Sequence, residues 1–156
     1  MYEEYLQHHG ILGMKWGVRR YQNLDGTLTS AGRKRYSRVV GSKDGLTVVE
    51  RKRKGQYDFL DKNSKKVGEA FIDDEGTSAH LDWIGVRNKE RRKGYGKAAL
   101  EILMNDSKVS GYKTMSLEAA GLDDAASHIY SKYGFVKVKD VDSDIWNGLT
   151  VMKKEL

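Results

Sequence analysis

Leu81-Asp82-Trp83-Ile84-Gly85-Val86-Arg87-Asn88-Lys89-Glu90-Arg91-Arg92-Lys93-Gly94-Tyr95-Gly96 is the stretch on which the fold turns. It reads as a strand, a charged loop, and two glycines that open a helix. Beyond it, Tyr95, Ala99, Ile102 and Leu103 fall on one helical face. The first N–H groups of a helix have no intrahelical partner, and the helix dipole favours an anion beside them. Gly94 and Gly96 let the backbone approach phosphate oxygens with no Cβ in the way, and Arg91, Arg92, Lys93 and Lys97 supply positive charge. From these residues alone the turn is either an anion site or a helix start with a solvated basic rim. It lacks the Gly-Lys-Ser/Thr of a P-loop and the third glycine of a dinucleotide fingerprint.

Upstream, residues 46–49, 56–60, 67–72 and 80–86 have strand character, with turn signals at 61–64 and 73–76. Turns this short imply an antiparallel meander. Downstream, 114–118 is a short strand. Asp123 is placed to cap a helix in which Ala126, Ile129, Tyr130 and Tyr133 recur at helical spacing. Residues 135–138 and 149–152 are the last strands, with Asn147-Gly148 as a hairpin turn between them. The expectation is an α+β fold with a central, mostly antiparallel sheet flanked by helices over residues 41–156, preceded by a short irregular module at 1–40. A chain of 156 residues holds one such domain and an appendage.

The glycine-rich turn resembles the acetyl-CoA signature of the GNAT superfamily of N-acetyltransferases, Gln/Arg-x-x-Gly-x-Gly/Ala. Arg91, Gly94 and Gly96 occupy its defined positions. Asp123-x-x-Ala126-x-x-Ile129-Tyr130-x-x-x-Gly134-Phe135 resembles that family's Asn-x-x-Ala-x-x-Leu-Tyr-x-x-x-Gly-Phe. The resemblance spans residues 45–156. It implies an acetyl-CoA co-substrate held by Ile84, Gly85 and Val86 through the strand backbone, by 91–97 at the turn (Tyr95 included), and by Asp123. Asp123 stands where Asn is commoner, so a contact there differs. Family members also have two helices after the first strand that shape the acceptor pocket. Here Lys54-Gly55 leaves no room for them. The acceptor side is then open, built by the N-terminal segment, or completed by another chain.

The resemblance further implies an amine acceptor, with a protein lysine or N-terminus favoured, and a tyrosine at 130 as general acid. The spacing of Tyr130 equally fits an aromatic on a buried helix face. His80 lies at a strand position where some family members carry a catalytic glutamate. Strand alternation sets it on one face with Asp82 and Ile84, and an imidazole with an ordinary pKa of about 6.5 suits a base near neutral pH. The alternative is a strand-end histidine facing solvent. Glu118 is a reserve base, and the Val86 N–H is placed to polarise the thioester.

The chain has no cysteine, which removes disulfides, thiolate metal sites and a cysteinyl intermediate. Direct attack in a ternary complex follows. The four histidines, at 8, 9, 80 and 128, are too scattered for a metal site. No apolar run approaches the ~20 residues of a membrane helix, and Met1-Tyr2-Glu3-Glu4-Tyr5 does not begin a signal peptide. The net charge of +6 draws polyanions. Base-reading motifs are lacking, so nucleic acid is not the expected partner.

The N-terminal run Tyr5-Leu6-Gln7-His8-His9-Gly10-Ile11-Leu12-Gly13-Met14-Lys15-Trp16-Gly17-Val18-Arg19-Arg20-Tyr21, with Asp25-Gly26-Thr27-Leu28-Thr29-Ser30-Ala31-Gly32, resembles a module of tailed-bacteriophage structural and head-associated proteins. That resemblance implies a viral protein in the host cytoplasm or on the virion, with partner docking or self-association through residues 1–40. It also keeps open a second function, a non-catalytic phage structural protein using the same fold for binding. Ile11, Leu12, Trp16 and Val18 are apolar anchors suited to an interface or to packing on the chain's own domain.

Overall fold

The computed structural model describes residues 20–120, 125–141 and 148–156. In chain order the elements are α1 (Ser30–Arg35), β1 (Tyr36–Lys43), β2 (Leu46–Arg51), β3 (Gln56–Leu60), β4 (Lys66–Glu75) and β5 (Ser78–Val86). A 3-10 turn (Asn88–Glu90), α2 (Tyr95–Val109), β6 (Thr114–Ala120), α3 (Ala125–Lys132), β7 (Val136–Val141) and β8 (Leu149–Glu155) follow. The strands form one sheet in the order β1-β2-β3-β4-β5-β6-β8-β7. Every neighbouring pair is antiparallel except β5 and β6, which the crossover through α2 makes parallel. The mixed sheet flanked by helices is the α+β architecture expected from the sequence.

Strand alternation divides the apolar residues between two faces. On the inner face Leu46, Val48, Tyr57, Phe59, Ala79 and Leu81 pack with Ala98, Ala99, Ile102 and Leu103 of α2. The helical stripe read from the sequence is thus the buried one, with Tyr95 partly covered. Helix α3 lies on the same face: Tyr130 and Tyr133 pack against that core, and the Tyr133 hydroxyl donates to Glu101 of α2 at 3.0 Å. On the outer face Tyr21, Tyr36, Val49 and Leu60 form a second cluster with Leu28 and Val39. The Tyr21 and Tyr36 rings meet edge to face at 5.6 Å.

The sheet begins earlier than the sequence suggests. Strand β1 carries two register shifts, between Tyr36 and Arg38 and between Val39 and Gly41. Each shift breaks the period-two pattern by which a strand is recognised. The boundary expected between residues 40 and 41 falls inside β1, and residues 20–36 cover the outer face of β1–β3. A Thr29 N-cap starts α1, its hydroxyl accepting from the Gly32 N–H at 3.1 Å. Asp44 and Gly45, both at positive φ, close the β1–β2 hairpin in two residues. No described helix stands between these strands. Ile11, Leu12, Trp16 and Val18 lie outside the described residues.

Candidate active site at the split between two parallel strands

Strands β5 and β6 pair from Ser78↔Thr114 to Leu81↔Leu117 and no further, while β4 pairs with β5 out to Val86. Beyond Leu81 one edge of β5 therefore has no strand neighbour among the described residues. The Arg87 N–H donates to the Val67 carbonyl across from β4 at 2.8 Å. Antiparallel alternation then aims the backbone groups of Gly85 at β4, and those of Ile84 and Val86 into the split. The Val86 carbonyl accepts from Arg91 Nε at 3.4 Å.

The chain next forms the 3-10 turn and enters α2 through Gly94, in the left-handed region at φ 82°. The first intrahelical bond runs from the Ala98 N–H to the Gly94 carbonyl at 3.1 Å. The backbone N–H groups of residues 92–97 thus have no acceptor among the described residues. Arg92 also sits at positive φ, 65°, a conformation that costs a non-glycine residue on the order of 1 kcal/mol or more. The two glycines have different reasons. Gly94 needs its φ. Gly96 does not: a Cβ there would meet only the Val86 side chain, at 3.8 Å, so the protein's own packing does not demand glycine.

Four cations were expected at this turn, and three are left for a ligand. Lys93 pairs with the buried Glu90 carboxylate at 2.7 Å, and Lys65 joins it at 3.1 Å. Those bonds, Lys93's first, hold the Glu90 carboxyl below its ordinary range. Arg91, Arg92 and Lys97 form no ion pair with a described carboxylate. Glu90 itself escaped the sequence reading; a lone acid in a basic loop was its only signal.

On β5 the alternation argument fails at one residue. Trp83 pairs with Phe71 and Leu81 with Ile72, so Asp82 is the extra residue of a β-bulge. The bulge shifts the phase of the strand. Ile84 and Val86 pack on the inner core with Ala79 and Leu81, not on the face of His80. His80 is on the outer face, where its Nδ1 lies 2.8 Å from Ser116 Oγ on β6. Asp82 and Glu118 are exposed, and Trp83 is 52% exposed. Tyr130 lies on the inner face, its ring edge-on to Phe135 at 5.9 Å. The structure thus brings residues 84–86 and 91–97 together along one path, and sets His80 and Tyr130 on opposite faces of the sheet. Asp123 lies outside the described residues. Ser116 gave no signal in the sequence, because its role depends on the strand pairing.

Residues 53–137 match the model of the acetyltransferase (GNAT) domain. The chain belongs to the GNAT acetyltransferase family. A relative, the uncharacterized N-acetyltransferase CgeE of Bacillus subtilis (strain 168), is 28% identical over 112 residues. That alignment covers 62% of this chain and 43% of the relative, so the chain spans less than half of that protein's length. Among solved structures, the ribosomal-protein-S18-alanine N-acetyltransferase from Escherichia coli superposes with a TM-score of 0.58 at 23% identity, covering 64% of this chain and 67% of that one. The spermidine/spermine N-acetyltransferase SpeG from Vibrio cholerae gives 0.59 at 16%, covering 64% of each. Both share the GNAT fold with this chain. Residues 1–23 match a family of unknown function, and the phage-type role expected of residues 1–40 finds no support in these matches. Among the described residues no His, Asp and Glu cluster could hold a metal ion, and no helix is long and apolar enough to cross a membrane.

Proposed function

We propose that this chain transfers the acetyl group of acetyl-CoA to an amine by direct attack in a ternary complex. The observation that carries the reading is two stretches of unpaired backbone close together in the chain, the β5 edge at Ile84 and the Val86 N–H in the split, and the N–H groups of 92–97 at the turn. A pyrophosphate fits the N–H row, with Arg91, Arg92 and Lys97 beside it. The amides of a pantetheine arm fit the free strand edge. Bound there, acetyl-CoA supplies a thioester open to a neutral amine.

The remaining work belongs to this chain's side chains and backbone. The Val86 N–H donates to the thioester oxygen. His80 takes the proton of the attacking amine as the C–N bond forms, with Asp82 in the adjoining bulge and Glu118 in reserve. Tyr130 gives its hydroxyl proton to the sulfur as the C–S bond breaks. Base and acid work from opposite faces of the sheet, and the split is where those faces communicate.

The acceptor we favour is an exposed amine of a protein, a lysine or an N-terminus. Over β5 and β6 the outer face carries no described helix, and Trp83 stands half-exposed with its ring over Gly85. No described helix therefore bars a bulky acceptor from the split. The solved relatives are named for a protein alanine and for polyamines, so both amine classes belong in the test. Peptide amines and polyamines are incubated with acetyl-CoA, and products are read by mass spectrometry with thiol release. Peptide acetylation supports the proposal, and acetylation of polyamines alone moves the acceptor to a small molecule. Acetyl-CoA binding with no thiol release would make the chain a binding module.

A further inference from the structure

We propose that Ser116 is a positioning residue that fixes the tautomer of His80, accepting from Nδ1–H and leaving Nε2 as the basic nitrogen. The inference rests on the reading of His80 as the proton acceptor. Its observation is the 2.8 Å contact between His80 Nδ1 and Ser116 Oγ, made across the parallel register that places the two residues side by side.

An imidazole accepts a proton only through a nitrogen that carries none. The contact to Ser116 can be made with Nδ1 as donor or as acceptor, and only one arrangement keeps Nε2 basic. If Ser116 donated to Nδ1, the ring would carry its hydrogen on Nε2, and no lone pair would face the amine. The hydroxyl would also have to swing away once Nδ1 was protonated. With Ser116 as acceptor, the same bond holds in the neutral ring and in the imidazolium. Ser116 is half-buried, so its own hydrogen can go to water. The bond therefore keeps the ring oriented through the proton transfer without rearranging.

The charged groups around the pair are few. Asp73 on β4 is the cross-strand partner of His80, and Lys153 on β8 is that of Ser116. Asp82 and Glu118 stand further along β5 and β6, where pairing has ended. None of them hydrogen-bonds the imidazole. Ser116 is the side chain that orients it.

The test is the nitrogen-15 spectrum of the His80 ring in the whole chain, above its titration, with His80→Gln used to assign the signals. The expected wild-type spectrum shows a protonated Nδ1 and a bare Nε2. Ser116→Ala is expected to move the hydrogen to Nε2 and to lower kcat on the order of tenfold, the worth of about one hydrogen bond. The KM for acetyl-CoA should stay unchanged, and Ser116→Thr should restore both tautomer and rate. A hydrogen on Nε2 in the wild type, or a tautomer indifferent to Ser116→Ala, overturns the proposal. Undiminished turnover in His80→Gln is a different failure. It removes the base role from His80, and with it any catalytic meaning of Ser116, whatever the spectrum shows.

Discussion

Arg38 of β1 grips Asp106 of α2 with both terminal guanidinium nitrogens, Nη1 at 2.7 Å and Nη2 at 2.8 Å, while its Nε donates to Glu50 of β2 at 2.7 Å. The strand hardest to see in the sequence is thereby tied to the helix whose N-terminus carries the unpaired N–H row. The two carboxylates are nearly enclosed, at 9% and 13% side-chain exposure, while the guanidinium keeps 42%. Arg38→Met leaves two acids without their cation. The expected loss is about 2 kcal/mol, below the ~3–5 of a fully buried pair because solvent still screens Arg38. That corresponds to a fall in Tm of roughly 4–8 °C in a thermal melt. Arg38→Lys should recover only part of it, since an ammonium cannot fork. An unchanged Tm in Arg38→Met would show that the bridge contributes nothing.

On the outer face, acid should unfold the protein partly through Asp58. Burial alone would raise this carboxyl. Arg51, Lys66 and the Tyr36 hydroxyl together outweigh burial and hold it below its ordinary value. Its folded pKa is therefore the lower one. The stability it contributes is fully present above the unfolded value, ~3.9, and is lost as pH falls through the folded value. Urea melts of Asp58→Asn should show lower stability at neutral pH and a flatter decline below about pH 4. An equally steep decline would assign the acid sensitivity to other groups.

At the glycine turn, fold and ligand should separate cleanly. Because a Cβ at residue 96 meets nothing closer than 3.8 Å, Gly96→Ala should leave the unliganded Tm unchanged or slightly raised. Acetyl-CoA at a hundredfold above its Kd should stabilise the wild type by about 2.7 kcal/mol. In Gly96→Ala that gain should shrink, and in Gly96→Glu it should vanish. Equal ligand shifts in all three proteins would move the pyrophosphate away from this turn.

Tyr130→Phe should lower kcat, on the order of a hundredfold, with little change in the KM for acetyl-CoA. The ring stays to pack against Phe135 and the inner core, so Tyr130→Phe should still fold and melt cooperatively. Steady-state kinetics with a saturating amine provide the measurement. Full activity in Tyr130→Phe would leave the residue as a packing aromatic, the other role its helical spacing fits.

What the sequence made legible follows from which signals are local. The path from Leu81 to Gly96 could be read because strand, loop and helix start succeed one another along the chain. The α2 stripe was legible because Ala99, Ile102 and Leu103 repeat with one period. The bulge at Asp82 was not, since it is a property of pairing with β4, and it reversed the face assigned to Ile84 relative to His80. Ser116 was invisible for the same reason. Lys93 looked like one more ligand cation until the fold brought Glu90 beneath it. Strand β1 was lost because two bulges and Gly41 erased its alternation. The lack of a helix between β2 and β3 was legible from loop length alone.

Residues 20–40 belong to the sheet and its outer cover, and two truncations test it. The Arg20 carbonyl accepts from Thr29, Tyr21 packs on Tyr36, and Gln22 accepts from Thr47 of β2 at 2.9 Å. Gly32 lies so close to the Tyr21 carbonyl that a Cβ would sit 2.1 Å from it, which locks α1 against this stretch. A chain begun at residue 20 keeps both apolar clusters, and it should fold and bind acetyl-CoA as the whole chain does. A chain begun at residue 41 loses most of β1, Tyr36 and Arg38 included. It exposes Val49 and Leu60 on the outer face and strands Asp106 and Glu50 on the inner one. Uncovering two such apolar side chains costs about 3–6 kcal/mol. With the bridge gone as well, the loss approaches the whole stability of a small domain. Far-UV circular dichroism and a ligand-dependent melt on the two proteins decide it. If the chain begun at residue 41 melts cooperatively and keeps its acetyl-CoA shift, residues 20–40 are an appendage to the sheet and not part of its core.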